Sequence, residues 1–168
     1  MTTDIRVRTA VEQDAPRLTQ YLSELFAERL PVLFRRDRVP TVEEERAFIR
    51  SLAASSRSVL LVAEANGKVV GMLDFHGHPE PQRAHAGEFE MSSARDWRGR
   101  GVGTRLLEHL LEWAPNRGFH RIELRVFSNN PGAIRLYERF GFVVEGRQVN
   151  AVKVDDGYVD ILYMAKFL

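Results

Sequence analysis

Apolar positions along the chain follow two periods. Where they alternate with polar ones the pattern predicts a strand with one buried face, and where they recur every three to four residues it predicts an amphipathic helix. Ile5-Arg6-Val7-Arg8 alternates as a short strand. Asp14-Ala15-Pro16 reads as a helix start with proline in the first turn, and Leu18, Leu22, Leu25, Phe26 and Arg29 follow at helical spacing up to Pro31. A second helix begins near Thr41, where Val42-Glu43-Glu44-Glu45 sets acids against the positive end of the helix dipole. Pro31 to Pro40 between them is a loop.

Val59-Leu60-Leu61-Val62-Ala63 and the run from Lys68 to Phe75 flank Asn66-Gly67, a pair suited to the positive φ angles of a two-residue hairpin turn. Glu88-Phe89-Glu90-Met91-Ser92 is a further strand, and it leads straight into Arg98-Gly99-Arg100-Gly101-Val102-Gly103. The helix after this turn carries Leu106, Leu107, Leu110, Leu111 and Ala114 on one stripe. Arg121 to Phe127 alternates again, Pro131 to Phe140 is helical and closed by Gly141, and Val154-Asp155-Asp156-Gly157-Tyr158 turns a last hairpin. The order β-α-α-β-β-β-α-β-α-β-β predicts an α/β (α+β) domain spanning residues 1–168, with a mixed sheet and helices on its faces. A glycine-rich turn joins the central strand to its helix, which is where a ligand is expected.

At 168 residues one core is expected, burying roughly 70% of the unfolded chain's surface. With 44% apolar and 28% charged residues, neither a disordered chain nor a membrane protein fits. The net charge of +1 supplies no field for nucleic acid or an anionic membrane, so any anion site is local. The absence of cysteine excludes disulfides, thiolate metal sites and a sulfur nucleophile. Met1-Thr2-Thr3-Asp4-Ile5-Arg6 has no apolar leader pattern. No apolar run elsewhere approaches the ~20 residues of a membrane span, which reads as cytoplasmic. His76 and His78 share a strand face, but two ligands do not close a metal site and no third is identifiable, so no metal is expected.

Glycines at 99, 101 and 103 leave backbone N–H groups open at a helix N-terminus, and Arg98, Arg100 and Arg105 crowd the same turn. Together these form a cradle for an anion with more than one phosphate. A dinucleotide fingerprint fails in both frames, because Leu106 or Thr104 stands where its third glycine belongs, and no Gly-Lys-Ser/Thr of a P-loop follows.

Arg98-Gly99-Arg100-Gly101-Val102-Gly103 resembles the Gln/Arg-x-x-Gly-x-Gly/Ala signature of the GNAT superfamily of N-acetyltransferases. Downstream, the run from Asn130 to Phe142 resembles that superfamily's Asn-x-x-Ala-x-x-Leu-Tyr-x-x-x-Gly-Phe pattern. The resemblance implies its fold, a mixed, mostly antiparallel sheet of about seven strands flanked by about four helices. It also implies an acetyl-CoA co-substrate, with the pyrophosphate on Arg98, Gly99, Arg100, Gly101, Val102, Gly103 and Thr104 and the pantetheine along Met91, Ser92 and Ser93. Arg95 stands where many relatives carry proline, and Ser92 and Ser93 replace more apolar residues.

Transfer of an acetyl group needs an unprotonated amine, so a carboxylate beside it should take the proton directly or through water. Glu88 and Glu90 are the candidates, two apart on one strand face, where repulsion and partial burial would raise at least one pKa. Glu88 is slightly preferred, because similar sequences often carry an acid there. The alternative is a pair of surface acids. The resemblance gives Tyr137 the role of protonating the departing thiolate, for which a phenol near pKa 10 is matched. It gives Asn130 a coenzyme contact, although a helix cap explains that asparagine equally well.

The acceptor is expected between the first two helices, their loop and the last hairpin. The tail from Arg147 to Met164 is similar to bacterial members acting on amino acids and other small amines. Arg35, Arg36 and Arg38 are candidates for an acceptor carboxylate, or a solvated basic loop. A small primary amine is therefore the expected partner, with the enzyme a monomer or a homodimer. Protein N-terminal or ribosomal-protein acetylation and a non-catalytic acyl-CoA sensor are the rival readings.

Overall fold

The computed structural model describes residues 4–34 and 37–168, so Met1, Thr2, Thr3, Arg35 and Arg36 of the reading above lie outside it. Seven strands and four helices follow in the order the periodicity predicts: β1 (Arg6–Thr9), α1 (Ala15–Ala27), α2 (Val42–Ala53), β2 (Ser58–Ala65), β3 (Lys68–Gly77), β4 (Ala86–Ser93), α3 (Val102–Trp113), β5 (Arg121–Phe127), α4 (Pro131–Arg139), β6 (Val143–Val154) and β7 (Gly157–Phe167). The first helix stops short of Pro31, because Arg29 takes a left-handed φ of 47°. Thr41 caps α2 in a reciprocal box with Glu44, and Asn66 and Gly67 turn the β2–β3 hairpin at φ 52° and 73°. No helix among the described residues is long and apolar enough to cross a membrane.

The sheet order is β1-β2-β3-β4-β5-β7-β6, antiparallel everywhere except between β4 and β5. Alternation sends Leu61, Leu73, Phe75 and Phe89 to a face packed by α3 and α4, and Leu60 and Val62 to a face packed by α1 and α2. Asp14, buried at the start of α1, accepts hydrogen bonds from Arg8 and Arg17, which tie β1 to that helix. These guanidiniums hold its carboxyl far below the usual range despite burial.

The single parallel pair is short. Ala86, Gly87 and Glu88 meet Arg121, Ile122 and Glu123, and the two strands then part. Phe89, Tyr137 and Phe142 fill the widening space on the α4 side, with ring centroids 5.8 to 6.0 Å apart. At the same end α3 sits unusually near the sheet, because β3 offers Gly71. A Cβ there would lie 2.4 Å from Val102 Cγ1 and 3.1 Å from the Ser92 carbonyl.

Gly71→Ala should therefore cost about 1–3 kcal/mol in urea unfolding, as over-packing does. Gly132→Ala, where a Cβ meets nothing within 4 Å on a helix, should be neutral or stabilising. Equal stability of the two variants would remove the close approach of α3 as a constraint.

Candidate active site

Beyond Glu88 the edge of β4 that faces β5 has no strand partner, so alternate N–H and C=O groups of residues 89–93 open into a cleft. That cleft, about 1370 Å³, passes through the gap between β4 and β5. On one side it is lined by the turn before α3 and by α4, on the other by α1, α2 and the loop between them.

The turn has the expected anion geometry. Gly99 and Gly101 hold φ of 71° and 88°, and a Cβ on either meets nothing within 4 Å, so backbone conformation demands glycine there. The first helical bond runs from Arg105 N to Gly101 O, which leaves the N–H groups of Val102, Gly103 and Thr104 pointing out of the helix end. Gly103 serves packing instead: its Cβ would stand 2.8 Å from Leu136 Cδ2 and 3.3 Å from Met91 Cε. The open turn, the unpaired edge of β4 and the cleft running between them suit an extended ligand carrying a diphosphate.

The arginines depart from expectation. Arg98 donates through both Nη atoms to Glu28 at the end of α1, at 2.8 and 2.7 Å, and also to the Ser93 carbonyl at 3.2 Å. Its guanidinium thus ties α1 to the turn, and the residue lines the cleft. Arg100 lies over the Trp97 ring and Arg105 is 3.7 Å from Glu108; neither lines the cleft. Arg135 and Arg139 of α4 do line it. Sequence reasoning passed over them, although their four-residue spacing puts them on one helical face.

Along β4, Met91 packs towards Gly103, and Ser92 Oγ is hydrogen-bonded to the buried Tyr21 hydroxyl of α1 at 2.8 Å. Asn130 is a helix cap, its Oδ1 accepting from Ala133 N at 3.3 Å, and it lines the cleft as well. Tyr137 reaches the cleft from the α4 side. Its phenol is not near 10: burial pushes it well above that value, so it stays protonated over the whole working range.

The two acids separate. Glu88, with 29% of its side chain exposed, holds Arg125 Nε at 2.5 Å and does not line the cleft. Glu90 is 57% exposed, lines the cleft and stands 3.8 Å from Arg125 Nη2. The repulsion expected between them is offset by this shared guanidinium on β5, which the sequence reading missed. Glu88, the slightly preferred candidate, has its carboxylate turned to Arg125, whereas Glu90 faces the cleft. Asp74 of β3, also missed, lines the cleft opposite Glu90 and is 3.2 Å from His76 Nε2. His78 is bound instead to Glu123 at 2.8 Å. Among the described residues no three His, Asp or Glu side chains stand together as a metal site.

The loop after α1 bridges the gap: the Phe34 ring meets Phe127 edge-on at 4.9 Å, and Asn129 Nδ2 donates to the Pro31 carbonyl at 3.1 Å. Leu30, Leu33, Phe48 and Met72 complete an apolar wall beside Asp74 and Glu90. Arg38 is paired with Glu44 through both Nη atoms at 2.7 and 2.6 Å, so its guanidinium is already answered, and Arg35 and Arg36 lie outside the described residues. The last hairpin contributes nothing to the cleft lining, contrary to expectation, because β6 stands beyond β7 at the far edge of the sheet.

A family model described as Acetyltransferase (GNAT) family matches residues 19–142. The chain is 36% identical over 107 residues to the L-amino acid N-acetyltransferase AaaT of Escherichia coli, a match covering 63% of this chain and 66% of that protein. It therefore spans just under two thirds of that relative's length. It is 28% identical over 121 residues, 71% of this chain and 70% of the other, to an L-methionine sulfoximine/L-methionine sulfone acetyltransferase of Pseudomonas aeruginosa. In structure it is similar to an acetyltransferase of GNAT family from Streptococcus pneumoniae, with a TM-score of 0.91, 27% identity, and 98% and 99% of the two chains covered.

The coenzyme A expected on the turn should stabilise the fold by about 2.7 kcal/mol at a hundredfold excess over its Kd, a shift of several degrees in Tm. Gly101→Val strains a left-handed position and sets a branched side chain beside the open N–H groups, but displaces no packed neighbour. The variant should fold and lose the shift. An unchanged shift would take the turn out of coenzyme binding.

Proposed function

The chain belongs to the acetyltransferase (GNAT) family, and from that premise we propose that it is an acetyl-CoA-dependent N-acetyltransferase whose acceptor is the α-amine of a small amino acid. The observation that carries this reading is a carboxylate and a guanidinium side by side in the acceptor half of the cleft, Glu90 and Arg125. An α-amino acid presents the complementary pair, an ammonium next to a carboxylate, and Arg125 retains N–H groups beyond the one given to Glu88. The two relatives above are, by name, acetyltransferases of L-amino acids or their analogues, which supports the same class.

The Val102, Gly103 and Thr104 N–H groups and the helix dipole would hold the pyrophosphate, with Arg135 and Arg139 adding charge. The unpaired edge of β4 from Phe89 to Ser93 would pair with the pantetheine amides. When bound, acetyl-CoA supplies the thioester carbonyl and, after cleavage, the thiolate. Glu90 takes the proton that the ammonium must lose before its nitrogen forms the new C–N bond. Free N–H groups in the gap donate to the carbonyl oxygen as it gains charge. As the C–S bond breaks, Tyr137 donates its phenolic proton to the sulfur, and the second proton shed by the nitrogen as it becomes the amide restores the phenol through water, while the proton on Glu90 passes to solvent. Its raised pKa makes it a firmly protonated donor up to the moment the thiolate forms.

Free-thiol release with L-methionine sulfone, other amino acids, polyamines and an N-terminal peptide tests the assignment. Turnover of amino acids, with KM rising about tenfold or more in Arg125→Gln, is expected, since a charged hydrogen bond contributes about 1.5–3 kcal/mol. Turnover of the peptide alone, with no carboxylate beside its amine, would move the acceptor class to protein N-termini, and coenzyme binding without any turnover would make the chain a sensor.

Tyr137→Phe should lower kcat about 10²- to 10⁴-fold with little change in coenzyme affinity. Glu90→Gln should fall by a similar factor near pH 7 and recover in part at high pH, where free amine is abundant. Glu88→Gln should act mainly on acceptor KM, through Arg125. The reverse ranking of the two glutamate variants would return the base to Glu88.

A further inference from the structure

Asp74 is used by nothing in the mechanism above, yet it is placed where the acceptor must arrive. The antiparallel register sets Asp74 directly across from Glu90, on the sheet face turned to α1 and α2, and both line the cleft. Side chains so paired have Cβ atoms about 4.5–5.5 Å apart. Two carboxylates at that spacing repel each other unless a cation serves both. Arg125 approaches from the Glu90 side and has given its Nε to Glu88. On the Asp74 side the neighbouring cation is an imidazole, His76 Nε2 at 3.2 Å from Asp74 Oδ2, and it can lose its charge.

We propose that Asp74 and Glu90 together seat the acceptor's ammonium, and that His76 is a positioning residue which occupies Asp74 when protonated and yields it to the acceptor when neutral. This rests on the reading of the cleft as an amine-acetylating site, and it adds a residue pair and a control that the reading does not contain. An ammonium has three N–H donors, enough to bond both carboxylates and, once Glu90 has taken one proton, to remain held by Asp74 while the lone pair turns to the thioester. Phe48 and Met72 form an apolar wall beside the pair, so the carboxylates are the groups there that can bond an ammonium.

The surroundings of His76 set the pH at which the exchange happens. On its own strand it meets Asp74; from β4 it faces Glu88, its direct cross-strand partner, and Glu90. Its partner on β2 is Ser58, which is not titratable, and α2 contributes the Phe48 ring at 6.4 Å, with the Glu45 carboxyl deeper in the same cleft. Arg125 of β5 is the one facing cation among these groups, and it stands against Glu88 and Glu90. The hydrogen bond that His76 donates to Asp74, with the charges of Asp74, Glu90 and Glu88 behind it, raises the imidazole above its ordinary value near 6.5. The sign follows directly. Below the raised value the imidazolium competes with the ammonium for Asp74; above it the carboxylate is released. Acceptor KM should therefore fall as pH rises through the His76 titration, and be about tenfold higher one unit below that midpoint than well above it.

The test uses ethylamine, a cation with no carboxylate, alongside L-methionine sulfone, on the full chain loaded with coenzyme A. His76 is followed by NMR, its signal identified by the loss in His76→Gln; with 48% of its side chain exposed, this substitution leaves the core intact. Ethylammonium should lower the His76 midpoint in the wild type and have no effect on it in Asp74→Asn. In turnover, His76→Gln should abolish the step in acceptor KM, and Asp74→Asn should raise KM about tenfold while leaving coenzyme affinity unchanged. A His76 midpoint indifferent to ethylammonium, or a His76→Gln profile superimposable on the wild type, overturns the proposal even if amino acids are acetylated. If L-methionine sulfone is not acetylated while ethylammonium still moves His76, the amino-acid reading fails and the seat stands.

Discussion

The parting of β4 from β5 after three paired residues is the constraint from which the functional geometry follows. A parallel pair that continued would satisfy its own backbone and close the sheet. Because it stops at Glu88, polar groups of Phe89 to Ser93 are left unpaired at the floor of a cleft, a state tolerable only where solvent or a ligand can reach them. The gap is kept open from one side by the Phe89, Tyr137 and Phe142 rings. It is aimed from the other by α3, whose first turn is drawn down onto Gly71. The glycine turn, the unpaired backbone edge and the face turned to α1 and α2 are thus brought to one opening.

Side-chain charge around that opening is largely spoken for. Arg98 is held by Glu28, Arg125 by Glu88, Arg38 by Glu44 and Asp74 by His76. The consequence is a division of labour. In the proposed function phosphate binding would fall mainly to backbone N–H groups and the helix dipole, which cost no reorganisation, while the ion pairs set the shape of the walls. The Arg98–Glu28 pair, the Asn129–Pro31 hydrogen bond and the Phe34–Phe127 contact all join the loop after α1 to elements of the coenzyme half. The two walls of the cleft are therefore tied to each other.

Seen this way, Tyr137 and Glu90 have opposite environments for opposite tasks. The phenol is sunk among aromatic rings, which favours its neutral, proton-bearing form. The carboxylate stands half in solvent beside a guanidinium, from which a proton it accepts can leave. In the proposed reaction one proton would be given on one side of the thioester position and one taken on the other, as a direct transfer in a ternary complex requires.

Local pattern was enough for everything that depends on near neighbours. Period-two and helical spacing placed all seven strands and four helices in order, Asn66-Gly67 announced its hairpin, and the glycines at 99 and 101 announced a left-handed turn with free N–H groups. These features are decided within a few residues, by φ preference and by which face is apolar. What depends on partners distant in sequence was not legible. Glu28 lies 70 positions from Arg98, and Arg125 lies 37 from Glu88, so no spacing rule could say that the first pair ties α1 to the turn or that the second withdraws Glu88 from the cleft. Asp74 and Glu90 each look like an ordinary polar position on an alternating strand until the β3–β4 register sets them face to face. The acceptor wall likewise passed from the last hairpin to Phe34, Phe48 and Met72, because strand order, which alternation does not encode, puts β7 and β6 beyond β5. The chain's own letters determined the fold and the open glycine turn; only the tertiary register decided which carboxylate lines the cleft, since charge pairing across the sheet is a property of neighbours in space.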